Sequence, residues 1–273
     1  MFNARKLIAA AFAAAIILAS CSGDNARREA AQSLLEQART LVANHHYDSA
    51  IVVLDTLDKS YRDCLEQRRE GTTVRLTALA DLSRDSLASC EVQLQQSQTE
   101  LVRLQPGFKK IDVAGTEGYY VDNATYTGSE MNTTGIQARV DDEGYLFIVA
   151  NVSGRKIGLC RIEYGGVASG DGESVAIEGS EIMSLSQEKT AELVDALASA
   201  TAPATVALVG TKGKAQVKLN AKQLASIRDT RDYASALQRT RRLQIMQEKL
   251  ERQLARLNDQ IANQIPVDEE QEQ

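Results

Sequence analysis

The sequence predicts an α+β fold: an N-terminal helical hairpin, then long coiled-coil helices flanking an antiparallel β-rich domain with one inserted helix. Three observations predict it. Apolar residues recur every seven positions in two distant stretches, 76–104 and 236–261, the spacing of helices that bury one stripe. Between those stretches the period falls to two, and glycine-rich turns separate short runs of β-branched and apolar residues. Ahead of them, residues 26–70 carry i, i+3, i+4 spacing with one break at Asn44-His45-His46.

The chain opens with a positive start, Arg5 and Lys6, followed by an uncharged run from Leu7 to Leu18. That run is too short for a comfortable membrane span and reads as an export signal. It closes on Leu18-Ala19-Ser20-Cys21, which resembles the lipobox of bacterial lipoproteins, cut just before the Cys. The resemblance implies a signal peptide over 1–20, an acylated tether over 21–25, and a membrane partner held through a lipid anchor (palmitate and its like) on Cys21. Ser22 does not resemble the usual inner-membrane retention signal, so the outer membrane of a Gram-negative envelope is the expected location.

Residues 26–70 form the predicted helical hairpin. Ala30, Leu34, Leu35, Ala38, Leu41 and Val42 share a face of its first helix; Tyr47, Ala50, Ile51, Leu54, Leu57 and Tyr61 share a face of its second. Ala38, Leu41, Tyr47, Ala50 and Leu54 together resemble one tetratricopeptide unit, with Asn44 near the family's turn glycine and no second copy. A lone unit has no neighbouring repeat to bury its faces and needs another surface. After Gly71 the spacing predicts a long coiled-coil helix over 72–104, in which Ala80, Leu87, Leu94 and Leu101 alternate with Leu76, Ser83, Cys90, Ser97 and Leu104. Pro106-Gly107 ends it.

The β-rich domain is expected over 108–220. Strands are predicted at Ile136–Val140, Tyr145–Val152, Ile157–Tyr164, Ser174–Ile177, Thr205–Val209 and Ala215–Leu219. Tyr145–Val152 is apolar on both faces and should be a central, doubly covered strand. The inserted helix is read over Gln187–Ala200, with Ser186 as its cap. Gly210 to Lys214 reads as a hairpin turn. The C-terminal coiled-coil helix follows over 221–264, and residues 265–273 form an acidic, disordered tail.

The formal charge is −6; removing residues 1–20 takes away Arg5 and Lys6 and leaves −8. An acidic chain lacks the basic face that phosphates need, so nucleic acid is not an expected partner. Residues 228–256 hold eight basic residues against four acidic ones, read as a solvated helix flank. Cys64, Cys90 and Cys160 show no metal-ligand spacing. Cys64 and Cys90 on one helix would stand roughly 39 Å apart, so all three read as buried thiols. The only histidines, His45 and His46, are adjacent and do not converge as ligands. No histidine remains to serve as base for a Ser or Cys nucleophile, so the reading is non-enzymatic, with no cofactor and no metal.

Three triplets, Asp48-Ser49-Ala50, Asp55-Thr56-Leu57 and Asp85-Ser86-Leu87, resemble an O-glycosylation acceptor used on exported proteins by one group of Gram-negative anaerobes. The resemblance implies modification at Ser49, Thr56 and Ser86. Taken whole, the chain resembles the lipoproteins of Gram-negative envelopes. The expected function is a membrane-tethered interaction scaffold with a protein partner or self-association through the helices. Leu243, Leu250, Leu254, Leu257 and Ile261 would make that contact, within the chain or with another subunit. The alternative is a ligand-binding lipoprotein whose β-rich domain holds a glycan, peptide or small molecule through Tyr119, Tyr120, Tyr126 and Tyr145.

Overall fold

The computed structural model describes residues 24–112, 118–126 and 133–264. The signal segment, Cys21 and the tail 265–273 lie outside the described residues. The fold is α+β, with antiparallel sheets, long helices on both sides of them in sequence, and one helix inserted between strands. The chain divides into two compact units: Met1–Cys90 with Gln247–Gln273, and Glu91–Met246.

In the first unit, α1 (Asp24–Ala43) and α2 (Tyr47–Ser60) form the hairpin. His46 N–H donates to the Leu41 carbonyl (2.8 Å) and His45 N–H to Val42 (2.9 Å). With His45 at φ 59°, this is the Schellman ending of a helix, and His45 takes the left-handed position more often held by glycine. Tyr47 then anchors the turn: its hydroxyl meets His45 Nδ1 at 2.6 Å and donates to Asp85 at 3.2 Å. Ala31, Leu35, Ala38, Leu54, Leu57 and Cys64 form one buried cluster, with Val74 packed against it. The surface that the lone hairpin needs is therefore α3 (Leu65–Leu104) of the same chain.

α3 begins seven residues before the expected start at Thr72, and Gly71 lies inside it rather than at its boundary. The reason is packing. A Cβ on Gly71 would sit 3.1 Å from Leu57 Cδ2 and 3.3 Å from Leu54 Cδ2, so the glycine lets α3 close on α2 at a cost of about 1 kcal/mol in helix propensity. The hairpin accordingly ends at Ser60, not at residue 70, and the Cys64 carbonyl accepts the first bond of α3 from Arg68 N–H.

Among the described residues the second unit holds ten strands: β1 (Phe108–Ile111), β2 (Tyr119–Asp122), β3 (Gly135–Asp141), β4 (Leu146–Ser153), β5 (Leu159–Tyr164), β6 (Val167–Ala168), β7 (Ser174–Ile177), β8 (Ser180–Leu185), β9 (Ala204–Gly210) and β10 (Gly213–Leu219). They form a six-stranded sheet in the order β1-β2-β3-β4-β8-β7 and a four-stranded sheet in the order β10-β9-β5-β6. β4 is central, and from Leu146 to Val152 all but Phe147 are buried. Tyr145, expected to open that strand, instead sits in the turn and is 53% exposed; its N–H donates to Asp141 Oδ1 (2.8 Å), so the tight turn claims its backbone before the strand begins.

α4 (Gln187–Ala198) is the inserted helix, and α5 (Ala221–Ala262) the C-terminal one. Ser186 occupies the cap position of α4, but its side chain makes no capping bond; its carbonyl accepts from Thr190 Oγ1 instead (3.0 Å). Leu193 and Leu197 of α4, Leu224, Ile227 and Tyr233 of α5, and the inner faces of both sheets share one core. Burying each such leucine contributes about 1.5–3 kcal/mol.

Candidate interaction site

The predicted contact leucines fall on α5 in a helix pair built within the chain. In the second unit, Ser97 Oγ of α3 and Thr240 Oγ1 of α5 share a buried hydrogen bond of 2.8 Å, and Arg239 reaches Glu100 at 3.4 Å. In the first unit, Gln253 Nε2 donates to Ser83 Oγ (3.1 Å) and Thr73 Oγ1 to Gln264 (3.3 Å). Within each unit α5 numbers fall as α3 numbers rise, so the helices pair antiparallel. Of the expected seam on α3, Ala80, Ser83, Cys90, Leu94 and Ser97 are all below a tenth exposed, while Leu76, Leu87, Leu101 and Leu104 are half-buried. On α5, Leu257 is buried, while Leu243, Leu250, Leu254 and Ile261 are half-buried. Five of the basic residues on the flank are engaged inside the chain: Arg228 with the Ala198 carbonyl, Arg231 with Asp195 and Asp232, Arg239 with Glu100, Arg241 with Glu143, and Arg252 with Glu248.

A groove in the first unit presents a different surface. The last turns of α1 and the early turns of α3 enclose about 470 Å³, lined by Arg39, Val42, Ala43, Glu70, Thr73, Val74 and Thr77. Its apolar floor is Val42, Ala43 and Val74. One rim is fixed by Arg39, which pairs with Glu70 at 2.5 Å and Glu36 at 2.6 Å. Sequence reasoning placed Val42 on an apolar face but did not join it to Val74. No pattern within either helix records that the two meet; only the α1–α3 crossing does.

A smaller cleft of about 200 Å³ lies between α4 and α5 in the second unit. Its polar groups satisfy one another: Gln238 Nε2 donates to Gln187 Oε1 (2.9 Å) and to the Gly144 carbonyl (3.0 Å), and Leu146 N–H donates to the same Gln187 oxygen (3.1 Å). This arrangement locks the β3–β4 turn to both helices.

Neither cavity is lined by a tyrosine. Tyr119 and Tyr126 do gather at one place, the face of the larger sheet that carries Arg139. The Arg139 guanidinium lies 4.3 Å from the Tyr119 ring centre, Lys109 stands 4.8 Å over the Tyr126 ring, and Phe147 meets Tyr119 edge-on. Burial lowers the Arg139 pKa, partly offset by the two phenols. Its Nε donates to Gln137 (2.8 Å), and no carboxylate pairs with it among the described residues. Tyr120 lies on the opposite face of β2, edge-on to Tyr233, itself stacked on Phe108 and pushed up to about 12 by burial. Tyr145 joins neither group.

The three triplet hydroxyls all lie on helices. Ser49 is exposed in the first turn of α2. Thr56 and Ser86 are half-buried, and their hydroxyls donate to the carbonyls four residues back, Val52 and Leu82. Cys64 and Cys90 are buried and Cys160 is half-buried. No group of three or more His, Cys, Asp or Glu able to hold a metal ion occurs among the described residues. Comparison with known proteins returned no match to a family model, a curated protein or a solved structure.

Proposed function

We propose that this protein is a membrane-tethered, non-enzymatic interaction scaffold of the Gram-negative cell envelope, anchored at the outer membrane by lipid on Cys21, with the α1–α3 groove as its partner face. The groove is the observation that carries the reading. It is an apolar floor with a charged rim in the helical unit, the shape that receives one face of an amphipathic helix. The leucine seam supports the same reading indirectly: with Leu257 buried and α3 paired to α5, those leucines serve chiefly to hold the scaffold together.

A second reading rests on Arg139. A half-buried cation against the Tyr119 ring, without a carboxylate among the described residues, suits an anionic ligand such as an acidic glycan or peptide.

Crosslinking in intact cells separates the two. The tagged chain would be compared with Val42→Asp/Val74→Asp, which charges the groove, and with Arg139→Met, each at matched abundance and with unchanged circular dichroism. A defined protein partner lost with the groove variant and kept with Arg139→Met supports the scaffold. A partner that survives the groove variant removes the groove from the reading.

A further inference from the structure

The hairpin has an end nearest Cys21, and its composition differs from that of the rest of the chain. Here α1 begins at Asp24, three residues after Cys21, a span of at most about 11 Å for extended chain. The same end holds the last turn of α2 and the link to α3. Arg27 ties them together: it donates to both oxygens of Asp63 (3.0 and 2.8 Å) and to the Ser60 carbonyl (3.1 Å), and lies over the Tyr61 ring. The Cys64 thiol reaches the Arg27 carbonyl at 4.0 Å.

Two features there are turned to the outside. Leu65, the first residue of α3, is 70% exposed, the most exposed large apolar side chain among the described residues. Arg28, Lys59, Arg62 and Arg69 are exposed and form no ion pair among the described residues, whereas neighbouring Arg27, Arg68 and Arg75 are paired with Asp63, Asp58 and Asp55. These four cations stand against three exposed carboxylates without an ion pair among the described residues, Asp24, Glu29 and Glu66, and a fourth, Asp63, already paired to Arg27, in a chain that is otherwise acidic.

We propose that this end of the hairpin is a membrane-docking surface. Leu65 and Tyr61 enter the interface, and Arg28, Lys59, Arg62 and Arg69 meet the phosphates of anionic phospholipid headgroups. The proposal rests on the lipid-anchor reading of Cys21. Given that anchor, the three-residue link leaves this end no distance to escape the bilayer surface. The high effective concentration imposed by the tether makes individually weak contacts sufficient. Cations beside an anionic leaflet are attracted over about a Debye length, and an exposed leucine adds an apolar contact that the tether has already positioned.

The test uses the mature chain purified from membranes, with Leu65 or Arg62 replaced by the photocrosslinker benzoylphenylalanine, and with Ala43 at the other end of α1 as the control position. The protein is reconstituted in vesicles of phosphatidylethanolamine with phosphatidylglycerol, and in phosphatidylcholine alone. Intact mass first reports whether Cys21 is acylated; if it is not, the anchor reading fails and the docking surface fails with it. In acylated protein, the proposal expects lipid adducts at 62 and 65 several-fold above 43. It also expects Lys59→Glu/Arg69→Glu to reduce them by about fivefold or more in the anionic vesicles, the ratio that roughly one surface cation contributes. Adducts at 65 no higher than at 43 in acylated protein would overturn the docking surface while leaving the anchor standing. So would crosslinks from 65 in native membranes that run to protein rather than lipid.

Discussion

Glu181 occupies a position where β8 turns its side chains inward. It precedes Met183 and Leu185 on the core face, and it is only 6% exposed. Its two oxygens accept from the backbone N–H groups of Ile157 (2.8 Å), Gly158 (3.1 Å) and Leu159 (3.0 Å) and from the Ser174 hydroxyl (2.7 Å). Burial pushes its carboxyl up, but the Ser174 and backbone donors outweigh burial and hold it below its ordinary value of 4.5. Because the folded pKa is depressed, the stabilisation is present above that ordinary value and is lost as pH falls through the folded pKa. Glu181→Gln replaces one accepting oxygen by a donor facing donors, so it should cost about 1–3 kcal/mol at neutral pH. Urea unfolding of both chains checks this: the gap between their midpoints should be widest near about pH 7 and shrink towards about pH 3. A gap that does not narrow on acidification would remove the carboxylate from this role. The same residue explains why β8 was not legible as a strand. A carboxylate at an inward position breaks the apolar alternation that identifies strands, and its donors come from a distant turn.

Elements whose stripes face one long partner were legible, and those defined by a crossing were not. The seven-residue repeats located the buried side of α3, and the doubly apolar run located β4 as central. By contrast, the start of α3 was misplaced because Gly71 reads as punctuation in sequence but serves close packing against Leu54 and Leu57. The α1–α3 groove was invisible because Val42 and Val74 belong to different helices. The polar breaks in the coiled-coil seam acquire a purpose from the structure: Ser97 bonds Thr240, and Ser83 accepts from Gln253. Polar residues in a seam sacrifice stability for register. Ser97→Ala alone leaves the buried Thr240 hydroxyl without its cross-helix partner and should cost about 1 kcal/mol or more. Ser97→Ala with Thr240→Val removes both polar groups and should restore stability to near the parent. A double-mutant cycle by urea unfolding measures the coupling. Additive losses in the double variant would show that the two hydroxyls act independently.

At the scale of the whole molecule, both hydrophobic clusters draw, among the described residues, on positions from Ala31 onward, whereas the proposed attachment draws on one side chain before Asp24. Folding and anchoring should therefore separate cleanly. An acyl chain contributes roughly 0.8 kcal/mol per buried methylene, and several chains on one cysteine make attachment firm. Among the described residues no helix is long and apolar enough to cross a membrane. Cys21→Ser, expressed behind a cleavable secretory signal so that export proceeds, should move the protein from the detergent phase to the aqueous phase of a phase-separation assay. Its thermal unfolding midpoint should match that of the parent chain after its lipid is removed, because every described core residue is unchanged. If the variant stays with the membrane after a high-salt wash, attachment has a second source that salt does not screen, and Leu65 at the base of the hairpin becomes the first place to look. Retention that high salt abolishes would instead assign the remaining attachment to those cations alone, since charge contacts at an exposed surface are screened while lipid burial is not.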